Sequence, residues 1–267
     1  MNIVVIGPAG KMGRLIVEVI SNRNDMKIVG AVAPKGRDYI GRDVGEITKI
    51  GKNLGAVVVD DIEKIIDKCD VIIDYTFPEV SINVIKSAVK HKKAVVCGTT
   101  GFSQEEINII KEYSNEIPIV LAANTSRVVN LMYKLLEITA KTIGNISDIE
   151  IIEMHDRNKK DAPSGTSKEM GSVIAKELGK KLEDIAVYGR RGKGERIPKS
   201  IGYHSIRSGD ISSSHTVIFG LLGERLEITH HAHNWECFAQ GACDCAAFLQ
   251  NKKAGLYTVK DVLGIEE

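Results

Sequence analysis

The chain is expected to be an α/β protein, a doubly wound parallel sheet followed by an α+β unit with a mostly antiparallel sheet. Three observations predict this. Short apolar runs alternate with helical patterns through the first half. A glycine-rich turn sits between the first strand and the first helix. Beyond residues 123–130 the pattern changes to strand-like runs punctuated by Gly189, Gly192, Gly194, Gly202, Gly209, Gly220 and Gly223.

Residues 3–6 form the first apolar strand, 7–13 the turn, and Leu15, Ile16, Val19 and Ile20 follow helical spacing. The next strands are 28–32 and 57–59, and a helix is expected over 61–67 with Ile62, Ile65 and Ile66 inward. Residues 71–74 make a buried strand, and Pro78 suits the first turn of the following helix. A strand at 94–97 leads to Ser103, which with Glu106 three residues on has the capping-box pattern. The strand 119–122 closes the series. A helix over 129–143 opens the second unit, and in 149–155 alternation puts Ile149, Ile151, Glu153 and His155 on one side. A helix at 164–178 and strands at 201–206, 215–219 and 225–230 follow, and the helical tail from 238 to 249 returns to the first unit. The expected domains are 1–126, joined by 237–267, for a dinucleotide, and 127–236 for substrate and oligomerisation.

The 267 residues carry 36 Lys plus Arg against 35 Asp plus Glu, so no basic field recruits nucleic acid or anionic lipid. No apolar run is long enough to span a bilayer, and the first residues lack a signal peptide's basic start and cleavage site. Five irregularly spaced cysteines suit reduced thiols, and a cytoplasmic location is expected.

Gly7, Pro8, Ala9, Gly10, Lys11, Met12 and Gly13 have the spacing G-x-x-G-x-x-G after a strand. Residues without side chains let the backbone approach a pyrophosphate, which the helix N-terminus then holds, as in a Rossmann-like fold. The other reading is a glycine turn for tight packing. After the second strand no acid is placed to bind ribose hydroxyls, while Lys35 and Arg37 suit a 2′-phosphate, favouring NADPH over NADH. A solvated basic loop is the alternative. Further cofactor contacts are expected at the strand ends Tyr75, Thr76 and Phe77, at Gly98, Thr99, Thr100 and Gly101, and at Ala122, Ala123, Asn124 and Thr125.

His155 lies four residues before Lys159, and Pro163 precedes a helix start at Ser164, Gly165 and Thr166. A group titrating near neutrality, a cation and free N–H donors together can hold a small carboxylate and exchange protons with it. His230, His231 and His233 with Cys237, Cys243 and Cys245 lack paired metal-ligand spacing, so no metal site is expected. The basic loop from Arg190 to Arg196 is either a solvated face or a cover for an acidic substrate.

Together these motifs resemble the 4-hydroxy-tetrahydrodipicolinate reductase (dihydrodipicolinate reductase) family over almost the whole chain. Residues 153–166 match its E-x-H-x-x-x-K-x-D-A-P-S-G-T signature, and residues 98–101 its G-T-T-G. The stretches 205–210, 215–219, 224–230 and 238–242 follow in the family's order. The resemblance implies a nicotinamide-dependent reductase of a small dicarboxylate, usually a homotetramer built through the second domain's sheet. It implies His155 as acid/base, Lys159 as proton donor, and Gly165 with Thr166 as carboxylate ligands. Asp156 replaces a frequent second histidine in the substrate set. Two further departures are Ala123–Asn130, where an aromatic and a glycine are lost, and Asn234 with Trp235, where the family has Ser-Arg. A reductase of another acidic cyclic imine, and a catalytically poor NADPH-binding regulator, are the alternative readings.

Overall fold

The structure, a computed structural model, describes residues 1–265. In chain order the first elements are β1 (Asn2–Ile6), α1 (Lys11–Ser21), β2 (Lys27–Val32), α2 (Val44–Thr48), β3 (Val57–Val59), β4 (Val71–Asp74), α3 (Pro78–Lys90), β5 (Ala94–Cys97), α4 (Gln104–Tyr113) and β6 (Pro118–Leu121). Next come α5 (Arg127–Ile143), β7 (Asp148–His155), α6 (Gly165–Glu177), α7 (Leu182–Ile185), β8 (Ala186–Tyr188), β9 (Ile201–Arg207), β10 (Ser213–Gly220) and β11 (Arg225–Ala232). The last are α8 (Glu236–Leu249), β12 (Gly255–Tyr257) and α9 (Val259–Leu263). The chain divides into two compact units, one comprising Met1–Arg127 with the stretch from Trp235 onward, the other Val128–Asn234.

In the first unit, seven strands stand in the order β12-β6-β5-β4-β1-β2-β3, and every pairing is parallel. The strand order reverses direction at β1 and β4, and the carboxyl ends flanking such a point form the ligand crevice of this architecture. The central strands are apolar runs because both faces are covered: Ile3, Val5 and Ile73 pack on one side, Val4, Ile72 and Val95 on the other. Each such side chain contributes about 1.5–3 kcal/mol on burial. Ser103 accepts from the N–H of Glu106, whose carboxylate accepts from the N–H of Ser103, completing the predicted capping box. Pro78 occupies the first turn of α3.

Residues 61–67 differ from expectation. Two short 3-10 turns, Ile62–Lys64 and Ile66–Lys68, replace a continuous helix, because Ile65 between them has φ −135°, outside the helical region. Ile62, Ile65 and Ile66 are buried as the pattern requires.

In the second unit, five strands stand in the order β11-β10-β7-β9-β8. Pairing is antiparallel across β11, β10 and β7 and parallel from β7 through β9 to β8. One face buries Ile149, Ile151, Ile201, Val217 and Phe219 in a single core with Leu136 of α5 and Ile174 of α6. Along that face, towards the end of β7, the residues become polar: Glu153 and His155, with His215 and His230 on the paired strands.

Candidate active site

In the first unit the glycine loop leaves β1 with Gly7 in the left-handed region, φ +71°. A Cβ on Gly13 would lie 2.2 Å from the carbonyl oxygen of Gly7, so α1 can start against this turn only with glycine at that position. The N–H of Gly10 donates to the Gly7 carbonyl at 3.1 Å, and Gly10 precedes the first turn of α1 with no side-chain cap. Lys11 and Gly10 are exposed, Gly7, Ala9 and Met12 half-buried, and Pro8 buried. This cradle has the form a pyrophosphate needs: close backbone and uncapped N–H donors at the positive end of a helix.

The other predicted cofactor residues gather at neighbouring strand ends. A Cβ on Gly98 would lie 2.2 Å from the Tyr75 ring. Thr99 is buried, its hydroxyl 2.8 Å from that of Ser81 and accepting from the N–H of Thr76 at 3.0 Å. Thr125 is also buried; its hydroxyl lies 2.7 Å from that of Tyr75 and donates to the carbonyl of Phe238 at 2.7 Å. The hydroxyls of Thr99 and Thr125 are thus engaged in building the floor, while Thr100 and Ala123 are exposed and Asn124 half-buried. Ala122 is buried at the end of β6. Lys35 and Arg37 are exposed in the loop after β2. Asp74, fully buried at the end of β4, accepts from the Thr76 hydroxyl at 2.6 Å. Burial pushes its carboxyl above the usual carboxylate range, partly offset by the hydroxyls of Ser81 and Thr76.

In the second unit the last residue of β7 is His155, 8% exposed, with Nδ1 2.5 Å from Oε2 of Glu153. Glu153 has no exposure, and Arg207 of β9 donates to both its oxygens at 3.0 and 2.8 Å. Burial pushes the Glu153 carboxyl up, but His155, Arg207 and Ser205 outweigh that and hold it down at about 2. An ionised Glu153 only accepts, so His155 carries its proton on Nδ1 when neutral and leaves Nε2 for proton exchange. Arg207 also donates to the Asp161 carbonyl, while Ser208 N–H donates to His155 O at 3.0 Å and Arg157 N–H to Gly209 O at 3.1 Å. The segment from 205 to 209 therefore fixes the loop from His155 to Pro163.

Within that loop Asp156 accepts from the N–H of Asn158 at 2.8 Å, and Lys159 Nζ pairs with Asp161 at 2.9 Å. Pro163 follows a cis peptide bond and is buried. Ser164 caps α6 by accepting from Ser167 N–H at 3.2 Å. Gly165 is exposed, and a Cβ there would meet nothing within 4 Å, so space lies open over the first turn. Ser164 is tied back to the histidines: its hydroxyl lies 3.3 Å from Nε2 of His215, whose ring stands edge-on to His155 at 5.3 Å. Burial, with His155 and His230 alongside, pushes His215 down to about 3, so it stays neutral. Thus His155, Ser164 and the α6 N-terminus form one connected set.

Glu153 and Arg207 had no predicted role. The E-x-H spacing carried the signal for Glu153, since period two puts both residues on one face. Arg207 lies 54 residues from its partner, and only the β7–β9 register brings them together.

Among the described residues no cluster of His, Cys, Asp and Glu is arranged to hold a metal ion, and no helix is long and apolar enough to cross a membrane. In β11 His230 is buried and His231 exposed, as alternation predicts.

A parallel sheet with a glycine cradle in one unit, and a Glu–His–Arg cluster near a helix start in the other, are the features of a dinucleotide-dependent oxidoreductase. Residues 1–125 match the family model of the dihydrodipicolinate reductase N-terminus, and residues 128–263 that of its C-terminus. The chain is 44% identical over 265 residues to 4-hydroxy-tetrahydrodipicolinate reductase of Hahella chejuensis, covering 99% of each. Its fold is shared with a dipicolinate-bound dihydrodipicolinate reductase from Paenisporosarcina sp. TG-14 (TM-score 0.77, 24% identity, 100% and 99% covered). An amine dehydrogenase from Mycobacterium smegmatis has a related fold (TM-score 0.69, 12% identity, 97% and 95% covered). The chain belongs to the dihydrodipicolinate reductase family.

Proposed function

We propose that the chain reduces 4-hydroxy-tetrahydrodipicolinate to tetrahydrodipicolinate in lysine and diaminopimelate biosynthesis, with a reduced nicotinamide cofactor held on the glycine loop of the first unit. The observation that carries this reading is the buried Glu153–His155 pair, locked by Arg207 and connected through His215 to the capped start of α6. It supports a site for an anionic substrate that needs a positioned acid.

The cofactor, when bound, supplies the hydride. The second unit then has three tasks. The N–H groups of Gly165 and Thr166, at the positive end of α6, hold a substrate carboxylate. The Lys159 ammonium, kept in place by Asp161, gives a proton to the ring atom that accumulates electrons. His155, oriented by Glu153, protonates the departing hydroxyl, which leaves as water while the adjacent ring carbon gives up a proton to solvent; the net addition is then one hydride and the one proton from Lys159. Asp156 borders the same loop and sets its turn through Asn158. Orientation and charge matching supply most of the acceleration.

Lys35 and Arg37, with no acid at the end of β2, favour NADPH. Lys35→Ala combined with Arg37→Ala should weaken NADPH more than NADH, and an unchanged ratio overturns that preference. Assembly as a homotetramer through the second unit's sheet belongs to the same proposal, and light scattering tests it. The deciding experiment for function is NADPH oxidation with substrate generated in place, comparing the natural chain with Lys159→Ala. General acid catalysis predicts a fall in kcat of about 10²–10⁴-fold with cofactor affinity nearly unchanged. Equal loss of both counts against the assignment.

A further inference from the structure

Lys11 is the first residue of α1, and its Nζ lies 3.5 Å from the centroid of the Trp235 ring. Trp235 is the chain's one tryptophan, 37% exposed, and immediately precedes α8. Helices α1 and α8 run side by side in the same direction: Lys11 meets Trp235 at their starts, and Arg23 pairs with Asp244 at 3.1 Å further on. The start of α8 is tethered at the sheet's carboxyl edge. Phe238 accepts from Thr125 at 2.7 Å, and its ring stands edge-on to Trp235 at 5.6 Å and 71°. A Cβ on Gly241 would lie 1.8 Å from the Thr125 carbonyl oxygen, so the helix is seated closely on the segment that follows β6.

The charge arrangement is unusual. The start of a helix is its positive end and disfavours a cation, yet Lys11 stands at the first position of α1. The electron-rich face of the indole is placed to steady the ammonium there. A cation retained against the helix dipole, over a glycine cradle, suits an anion that bridges both.

We propose that Trp235 is a positioning residue for the nucleotide: its ring holds the Lys11 ammonium at the glycine loop, ready for the cofactor's pyrophosphate. This rests on the reading of that loop as the nucleotide site.

The full chain is titrated with NADP⁺ and NADPH by calorimetry and by the emission of Trp235. In the natural chain the emission changes saturably, with the same affinity that calorimetry gives. Trp235→Leu should raise the cofactor KM by about 3–20-fold while kcat and the substrate KM stay within about twofold. Trp235→Phe, which keeps a ring face, should recover most of the loss. Adding Lys11→Ala to Trp235→Leu should cost little more, because the two residues act as one unit. An unchanged cofactor KM in Trp235→Leu, or fully additive effects, overturns the proposal. If Trp235→Leu does not fold, Lys11→Met replaces it: cofactor affinity must fall and the emission change must vanish, and retained affinity overturns the proposal. A natural chain that binds neither nucleotide in calorimetry overturns the nucleotide site as well. Binding that is indifferent to Trp235 removes only the positioning role.

Discussion

β4 and β7 both end in buried carboxyl-bearing chemistry, yet they reach it differently. β4 is aliphatic through Val71, Ile72 and Ile73 and meets its one acid, Asp74, at the last position. β7 alternates throughout and carries Glu153 and His155 as the inward residues of its final turn of the pattern. In the proposed sites the parallel sheet would meet a ligand mainly with backbone, through glycines and a helix start, while the mixed sheet would add side chains that must themselves be held. A backbone site is broken by adding atoms. A side-chain site is broken by removing a partner.

The largest stability effect should follow removal of a partner in the second unit. Arg207→Ala leaves the fully buried Glu153 carboxylate without its bidentate ligand and should cost about 3–5 kcal/mol, measured by urea unfolding. A cost below about 1 kcal/mol, the range of surface pairs, breaks the comparison. In the first unit, adding one methyl should be the damaging change. Gly13→Ala drives a Cβ onto the Gly7 carbonyl and should cost about 1–3 kcal/mol, with nucleotide affinity falling well beyond what other α1 alanine substitutions cause.

Acid should find the second unit first. His215 is held near pKa 3 in the folded chain against an ordinary 6.5. Between those values the unfolded chain binds a proton that the folded chain does not, so stability falls as pH drops from 6.5 towards 3. His230 is shifted in the same direction by burial and by His231 and His233, so His215→Gln should flatten the decline without abolishing it. Melting temperatures from pH 7 to 4.5 test this, and equal slopes in both chains exclude His215 as a contributor. Glu153, held near 2 against 4.5, adds its own loss only below about pH 4.5. The smallest effect is Ser164→Ala, about 1 kcal/mol for loss of a helix cap, with the substrate KM rising more than the cofactor KM.

Much of the first unit was legible because its signals are local. Apolar runs bounded by glycine gave the strands, and Ser103 with Glu106 gave a helix start. The three-residue edge strands β8 and β12 were not, since pairing with β9 and β6 holds them rather than any periodicity of their own. Ile62, Ile65 and Ile66 fit a helix and a pair of tight turns equally well, and the non-helical backbone of Ile65 decides between them. In the candidate site, His155, Lys159 and the α6 start were visible as one short stretch of sequence. The residues that orient them, Arg207 and His215, arrive from other strands through register. Trp235 was visible as a departure from the family pattern, but its partnership with Lys11 required the parallel packing of α1 and α8.

The division of the chain bears on its synthesis. α8 and β12 complete the first unit, yet Val128–Asn234 is translated between them and the six strands they join. A ribosome that has emitted β1 to β6 leaves their sheet without its edge strand and its covering helix until the whole intervening unit has emerged. Nascent chains halted before residue 235 should therefore expose that uncovered face, and limited proteolysis of stalled chains would show it as heightened cleavage.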